Sequence, residues 1–157
     1  MDEILINDPE HGEAITKAAG VIFNPRCHQV ISRAVDGVLY GGVVLTDYTK
    51  ASITMHMAGF NDKWVNRNIL WAVFNYAFNQ LKVNKVFGQV PESNQRALEI
   101  NLKLGFLVET RVKDVFVDGD LLVVSMYRDQ CRWLKLQPRG VIGGYTYGRQ
   151  GECSRTP

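Results

Sequence analysis

The chain has few cysteines, no long apolar run and no strong charge of either sign. Its three cysteines, Cys27, Cys131 and Cys153, are far apart in 157 residues, which argues against a disulfide framework and a zinc site. We therefore expect free thiols, a reducing compartment and a cytoplasmic protein. No stretch approaches the length of a membrane-spanning helix, and the acidic N-terminal segment lacks the basic region of a signal peptide. The net charge of +2 argues neither for nor against a nucleic-acid partner. We expect neither a membrane nor a nucleic-acid partner.

The composition is that of one globular domain followed by a different tail. The chain is 46% hydrophobic and 22% charged, which is typical of a folded domain with its own core. We predict this domain over residues 1–137. Glycine, tyrosine and arginine dominate residues 138–157, and such a segment buries little apolar surface. We expect an extended or disordered arm there, which could mediate contact with a partner or with a second copy in a homodimer.

Local signals predict alternating strands and helices in the first half. Asp8-Pro9 and Gly20 are typical of the two ends of a helix. Asp36-Gly37 is the strongest short signal for a hairpin, and it joins two β-type runs. A third strand over 51–58 would complete an antiparallel meander. An apolar helix is predicted over residues 61–81.

The second half adds a strand over 83–90, a helix that begins at Ser93 or Asn94 and ends at Gly105, and a last hairpin around residues 118–120. A strand on each side of the long helix requires a parallel crossover within one sheet. The predicted fold is therefore α+β, an α/β/α-type three-layer domain whose sheet is mixed and mostly antiparallel.

The spacing Asn-x-x-Ala-x-x-Ile-x-x-Lys-Leu-Gly-Phe over residues 94–106 is the most specific motif in the chain. Together with the order of elements over residues 3–136, it resembles the GNAT family of acyl-CoA-dependent N-acetyltransferases. The resemblance implies a central parallel pair of strands, 51–58 and 83–90, that splay apart around acetyl-CoA, and it implies no metal. Reduced GNAT-like proteins occur in tailed-phage genomes, so a divergent, phage-encoded member is one interpretation.

The resemblance also implies a cofactor site at the start of the long helix. Unpaired amides and the helix dipole favour a pyrophosphate there, while the preceding strand would offer backbone groups to the pantetheine. Two small residues of the family's loop are asparagines in this chain, and asparagine side chains occupy space that glycine leaves open. The opposing interpretation is an ordinary helix with Asn61 as its N-cap and no anion site. The predicted cofactor-binding residues are Met57, Lys63, Asn66, Arg67, Asn68 and Asn94.

Amine acetylation needs a base for the ammonium and is helped by an acid for the leaving thiolate. His56 is the candidate base, because it lies on the central strand close to where family members carry a glutamate. The alternative is a histidine with a purely structural hydrogen bond. The family's frequent acid is a tyrosine, whose position is occupied by Asn101. Tyr127 or Ser125 on the last strand would have to substitute for it.

Two functions follow from these residues. The first is an acetyl-CoA-dependent N-acetyltransferase whose acceptor is a primary amine of a protein N-terminus, a lysine or a small molecule. The alternative is a catalytically degenerate GNAT-fold binding protein, viral in one version, with or without bound CoA. The aspartates around residues 114–120 are more typical of a solvated turn than of a metal site.

Overall fold

The computed structural model describes residues 1–136 and residue 138. Its seven strands are β1 (Asp2–Ile6), β2 (Gln29–Val35), β3 (Val38–Thr46), β4 (Ser52–Gly59), β5 (Lys85–Pro91), β6 (Leu107–Phe116) and β7 (Gly119–Tyr127). Its helices are α1 (Pro9–Ala19), α2 (Arg67–Asn75), which continues as one π-helical turn over Tyr76–Gln80, and α3 (Gln95–Leu104). The strands form one sheet in the order β1-β2-β3-β4-β5-β7-β6.

Short polar side chains and glycines define the ends of these elements, as the local signals predict. The Asp8 carboxylate accepts a hydrogen bond from the His11 amide at 3.0 Å, and Gly20 ends α1 with a φ of 74°. Asp36 and Gly37 have φ values of 48° and 79°. Two successive positive φ angles are those of a type I′ turn, which matches the twist of the hairpin between β2 and β3.

The single parallel pair among the described strands joins β4 to β5 over a short stretch. Ser52, Ile53 and Thr54 pair with Lys85, Val86 and Phe87. Beyond these residues β4 continues to Gly59 and pairs with β3 alone, while β5 continues to Pro91 and pairs with β7 alone. The two strands therefore separate towards their C-terminal ends. This confirms the mixed, GNAT-like sheet with a splayed central pair.

Helices cover the sheet on both faces, which makes three layers. On one face Ile15 of α1 packs with Val30 and Val44. On the other face α2 and α3 contribute to the main core, where the rings of Phe74 and Phe106 lie 6.2 Å apart. Because side chains alternate along a strand, His56 lies on the α1 face with its partner across the ladder, Val44.

The apolar helix begins six residues later than its pattern predicts. Asn61 starts a turn instead, because its side chain accepts a hydrogen bond from the Lys63 amide at 2.8 Å and its carbonyl accepts one from the Trp64 amide at 3.0 Å. The helix starts at Arg67 with Asn66 as its N-cap. The interpretation of Asn61 as the N-cap is therefore wrong.

Among the cysteines, Cys131 is a free, buried thiol, as the sequence predicts. Burial raises its pKa. The predicted arm over 138–157 lies, apart from Pro138, outside the described residues.

Candidate active site

A slot lies between β4 and β5 where they are no longer paired. Residues 55–59 form one wall and residues 88–91 form the other. The facing backbone edges of these two segments are not hydrogen-bonded to each other. Backbone N–H and C=O groups on such edges need another hydrogen-bond partner. Met57 lies on the β4 wall, past the last paired residue, Thr54. Since α2 follows β4 and α3 follows β5, both helices start at the open end of the slot, where ligands bind in open α/β sheets.

A tryptophan fixes the segment that leads from β4 to α2. The indole of Trp64 lies against Gly41 and Gly59, which pair with each other across β3 and β4. A Cβ atom on Gly41 would lie 2.7 Å from Trp64 Cγ, and one on Gly59 would overlap the indole nitrogen. The two glycines therefore form a flat seat that admits a ring. Close packing against Trp64 therefore accounts for both glycines.

Arg33 holds the same segment through its guanidinium. The residue is 9% exposed, and its guanidinium forms two 2.8 Å hydrogen bonds with the Asp2 carboxylate. It also donates to the carbonyl oxygens of Lys63 and Trp64, the latter at 3.1 Å. With these carbonyls held by Arg33, the chain enters α2 in one defined orientation. The Asp2 carboxylate raises the pKa of Arg33, and the Arg33 guanidinium lowers the pKa of Asp2.

The predicted pyrophosphate residues surround the first turn of α2. Lys63 and Arg67 are exposed, so both cations are accessible at the helix N-terminus. The Asn66 side chain, however, accepts a hydrogen bond from the Ile69 amide at 2.9 Å. One of the amides that an anion could use is therefore already paired. Asn68 lies in the same turn and is half-buried.

The start of α3 forms the other side of the slot opening. The Asn94 side chain accepts a hydrogen bond from the Ala97 amide at 3.1 Å, which makes it the N-cap that the sequence predicts. Arg96, in the first turn, forms a 3.2 Å ion pair with Asp62, in the segment before α2. This pair links the two helix starts across the slot opening. It also partly neutralises Asp62, whose charge would otherwise repel a phosphate.

His56 lies half-buried on the α1 face of β4, two residues beyond the last pair with β5. Its Nε2 atom is 3.1 Å from the Thr46 hydroxyl, and that hydroxyl donates to the Asp47 carboxylate at 2.9 Å. Burial lowers the pKa of His56, nearby His28 lowers it further, and the Asp47 charge opposes both effects. A neutral imidazole at the edge of the slot is suited to accept a proton near neutral pH.

Ser125 and Tyr127 lie on the same face as His56 but away from it. Across the sheet Ser125 aligns with Thr54, and Tyr127 aligns with Ser52 at the paired end of β4. Two strand spacings separate them from β4, about 10 Å. The structure therefore places the three predicted catalytic residues on one face without bringing them into contact.

Lys85 and Glu109, rather than His56, contact Tyr127 and Ser125. Lys85 Nζ lies 4.5 Å from the Phe87 ring centre and 5.0 Å from that of Tyr127, and it donates to Glu109 at 2.6 Å. The pKa of Glu109 is lowered by its hydrogen bond from Lys85 and, secondly, by one from Ser125. Both acid candidates thus belong to a cluster centred on Lys85.

Asn101, at the position of the family's tyrosine, has a structural role. It is 5% exposed, and its side-chain amide donates to the Ala97 carbonyl one turn earlier at 2.8 Å. Its Oδ1 atom would lie 3.4 Å from a Cβ placed on Gly88. Asn101 therefore fills the narrow space between α3 and β5.

Residues that position the site are those that sequence reasoning missed. Arg33 is the one charged residue of β2, and this is the signal that could have marked it. Thr46 and Trp64 carry no such signal, because the contacts of Thr46 with His56 and of Trp64 with Arg33 join residues ten or more positions apart.

Two further observations concern the chemistry that the described residues allow. Within residues 1–136 and 138, no three histidine, cysteine, aspartate or glutamate side chains are grouped closely enough to hold a metal ion. None of the helices in that same part of the chain is long and apolar enough to cross a membrane.

No protein-family model matches the chain, and no curated protein matches it in sequence. Solved structures do match. The spermidine/spermine N-acetyltransferase SpeG from Vibrio cholerae, in mutant form, is 13% identical with a TM-score of 0.65, over 82% of this chain and 96% of that chain. A spermidine N-acetyltransferase SpeG chimera from Vibrio cholerae is 14% identical with a TM-score of 0.65, over 85% and 98%.

A probable acetyltransferase is 20% identical with a TM-score of 0.57, over 66% of this chain and 62% of that chain. These structures share the three-layer architecture and the mixed sheet described above. The chain therefore has the GNAT-like fold that its sequence predicts.

Proposed function

We propose that the protein transfers an acetyl group from acetyl-CoA to a primary amine. The splayed pair of β4 and β5 carries this proposal, because the slot offers two unmated backbone edges with two helix N-termini at its open end. An extended chain with amides, such as pantetheine, can pair with such edges as a strand would. The solved acetyltransferases with this fold support the same reaction class.

The cofactor would lie with its pyrophosphate at the start of α2. Lys63 and Arg67 supply positive charge there, and the helix dipole adds to it. Asn66 and Asn68 would contact the phosphates with side-chain amides where the family uses backbone. Asn94 and Met57 would contact the pantetheine arm from the two walls of the slot.

His56 would remove the proton from the acceptor ammonium. The free amine then attacks the thioester carbonyl, the carbon–sulfur bond breaks, and an amide and CoA are formed with the net release of one proton. Ser125 and Tyr127 remain proposed proton donors to the thiolate, but both lie beside the paired end of β4. We therefore favour unassisted departure of the thiolate, a good leaving group.

Calorimetric and thermal titration with acetyl-CoA tests the binding step. At a ligand concentration 100 times Kd, stability should rise by about 2.7 kcal/mol. The absence of both heat and thermal stabilisation at millimolar acetyl-CoA would refute the proposal. Free CoA and acetyl-phosphate separate recognition of the pantetheine arm from simple anion binding.

Thiol release tests the chemical step across three acceptor classes: polyamines, aminoglycosides and peptide N-termini. His56→Ala should lower kcat by about a hundredfold, the lower part of the range for a lost general base. His11→Ala is the matched control, since His11 lies on the same face but is bonded to Ser32 at 2.7 Å. Equal losses in the two variants would contradict the assignment of His56.

A second candidate function is a GNAT-fold binding protein without catalysis, encoded by a phage in one version. Two observations favour it: Asn66 already pairs with a helix amide, and Asn101 is used within α3. It is supported if acetyl-CoA binds and no acceptor is acetylated, and it is rejected by turnover that His56→Ala abolishes. Cytoplasmic location and a homodimer remain predictions.

A further inference from the structure

The hydrogen bonds around His56 determine which of its nitrogens carries the proton. A carboxylate can only accept hydrogen bonds, so Thr46 must donate its single hydroxyl hydrogen to Asp47, 2.9 Å away. The Thr46 oxygen then faces His56 Nε2 at 3.1 Å with lone pairs only. The hydrogen in that contact must come from the imidazole.

We propose that Thr46 and Asp47 are positioning residues that hold neutral His56 with its proton on Nε2, so that Nδ1 is the basic nitrogen. Thr46 is 3% exposed, so water does not compete for its hydroxyl. The catalytic consequence rests on the function proposed above, but the placement of the proton does not. No described residue forms a hydrogen bond with His56 Nδ1, which leaves its lone pair available.

The same arrangement supports the protonated ring. When Nδ1 takes a proton from an ammonium, the Nε2–H bond to Thr46 is kept, and the Asp47 charge stabilises the imidazolium through the intervening hydroxyl. No proton has to move along the chain of bonds. A threonine between the two groups keeps the carboxylate from pairing directly with the imidazole.

The other charged groups near His56 are few. His28 lies before β2, and its Nδ1 accepts a hydrogen bond from the Asn24 amide at 3.0 Å. The Asp47 charge acts on both histidines. On α1, which packs on this face, His11 is bonded to Ser32. Burial has the largest effect on the pKa of His56 and lowers it, the Asp47 charge raises it, and His28 lowers it further.

Nitrogen-15 NMR of histidine-labelled protein tests the inference without any substrate. Long-range couplings assign the protonated nitrogen, and His11→Gln and His28→Gln identify the signals. We expect Nε2–H for His56 in the native protein and a shift towards the Nδ1–H form in Thr46→Val. Thr46→Ser should restore the native pattern because it keeps the hydroxyl. Since Nε2–H is also the commoner form in water, the comparison of variants is decisive.

Thr54→Val is the matched control, because Thr54 pairs with Thr46 across the ladder and is also buried, at 9% exposed. It should leave the His56 signals unchanged. An Nδ1–H form in the native protein, or equal effects of Thr46→Val and Thr54→Val, would overturn the inference.

The pH dependence provides the second readout. Asp47→Asn should lower the pKa of His56 in the NMR titration, because the opposing charge is lost. If turnover is found, Thr46→Val should lower kcat by about tenfold, a small part of what a general base contributes, and Thr46→Ser should restore it. A native His56 pKa in Asp47→Asn would overturn the role of Asp47. If no acceptor is acetylated, the proposed function fails while the NMR comparison still decides the inference.

Discussion

Replacing Gly59 by alanine should displace Trp64 from its seat on the sheet. The new methyl would overlap the indole nitrogen and would lie 3.1 Å from Cε2. The ring cannot move away freely, because the Trp64 carbonyl is held by Arg33 at 3.1 Å. Overpacking of this kind costs about 1–3 kcal/mol. We expect about 2 kcal/mol, which for a chain of this size lowers Tm by about 4–8 °C.

A double-mutant cycle with Trp64→Ala isolates the cause. Gly59 has no positive φ, so in the background without the indole the alanine meets no strain. There it should be neutral, or stabilise by about 0.4–1 kcal/mol because the unfolded chain loses freedom. Denaturant unfolding of the four proteins gives the coupling energy, expected at about 2 kcal/mol. The same loss of stability from Gly59→Ala in both backgrounds would refute the packing of Trp64 on Gly59. Titration of Gly59→Ala with acetyl-CoA then shows whether this packing also positions α2.

Three further predictions concern the supports of the site. Arg33→Met should lower stability in urea unfolding by about 1–3 kcal/mol, because two part-buried carbonyls and the Asp2 carboxylate lose their donor. Arg33→Lys should be intermediate, and a loss under about 0.5 kcal/mol would contradict this role. The pKa of Asp2 is lowered in the folded state, so its ion pair contributes stability above the unfolded-state pKa and loses it as pH falls through the folded-state pKa. Asp2→Asn should therefore reduce the fall in the free energy of unfolding at acidic pH. An unchanged fall would contradict a contribution from this ion pair. Asn66→Gly should lower CoA affinity about threefold, because it removes the side-chain amide proposed to contact the phosphates, at a stability cost of a few tenths of a kcal/mol; tighter binding would show that the Ile69 amide freed by the substitution is the better phosphate ligand.

Local chemistry explains which parts of this structure the sequence could predict. Asp8, Asp36-Gly37 and Asn94 act through partners within a few residues, so their caps and turns are readable along the chain. The spacing of the 94–106 motif has the same local character. The start of α2 was misplaced because both Asn61 and Asn66 can cap a helix, and the choice depends on contacts from distant strands.

Long-range contacts explain what the sequence could not predict. Arg33 reaches the segment before α2 from a strand thirty residues earlier, and Thr46 reaches His56 across a ladder. No periodicity or motif encodes such pairs. Alternation places Ser125 and Tyr127 on one face of β7. That this is also the face of His56, and how far apart the residues lie, depends on the register of β5 and β7, which only the folded sheet defines.

Asn66 and Asn101, two of the three asparagines that stand in place of family residues, affect different steps. Asn66 acts on binding, through one helix amide. Asn101 acts on the chemical step, yet Asn101→Tyr should not restore an acid, because the site is 5% exposed and lies against Gly88. A phenol ring there would overpack α3 against β5. The absence of an acid at this position is therefore a consequence of the close packing between α3 and β5. Any acetyl transfer must then proceed with a thiolate that leaves without a proton from α3.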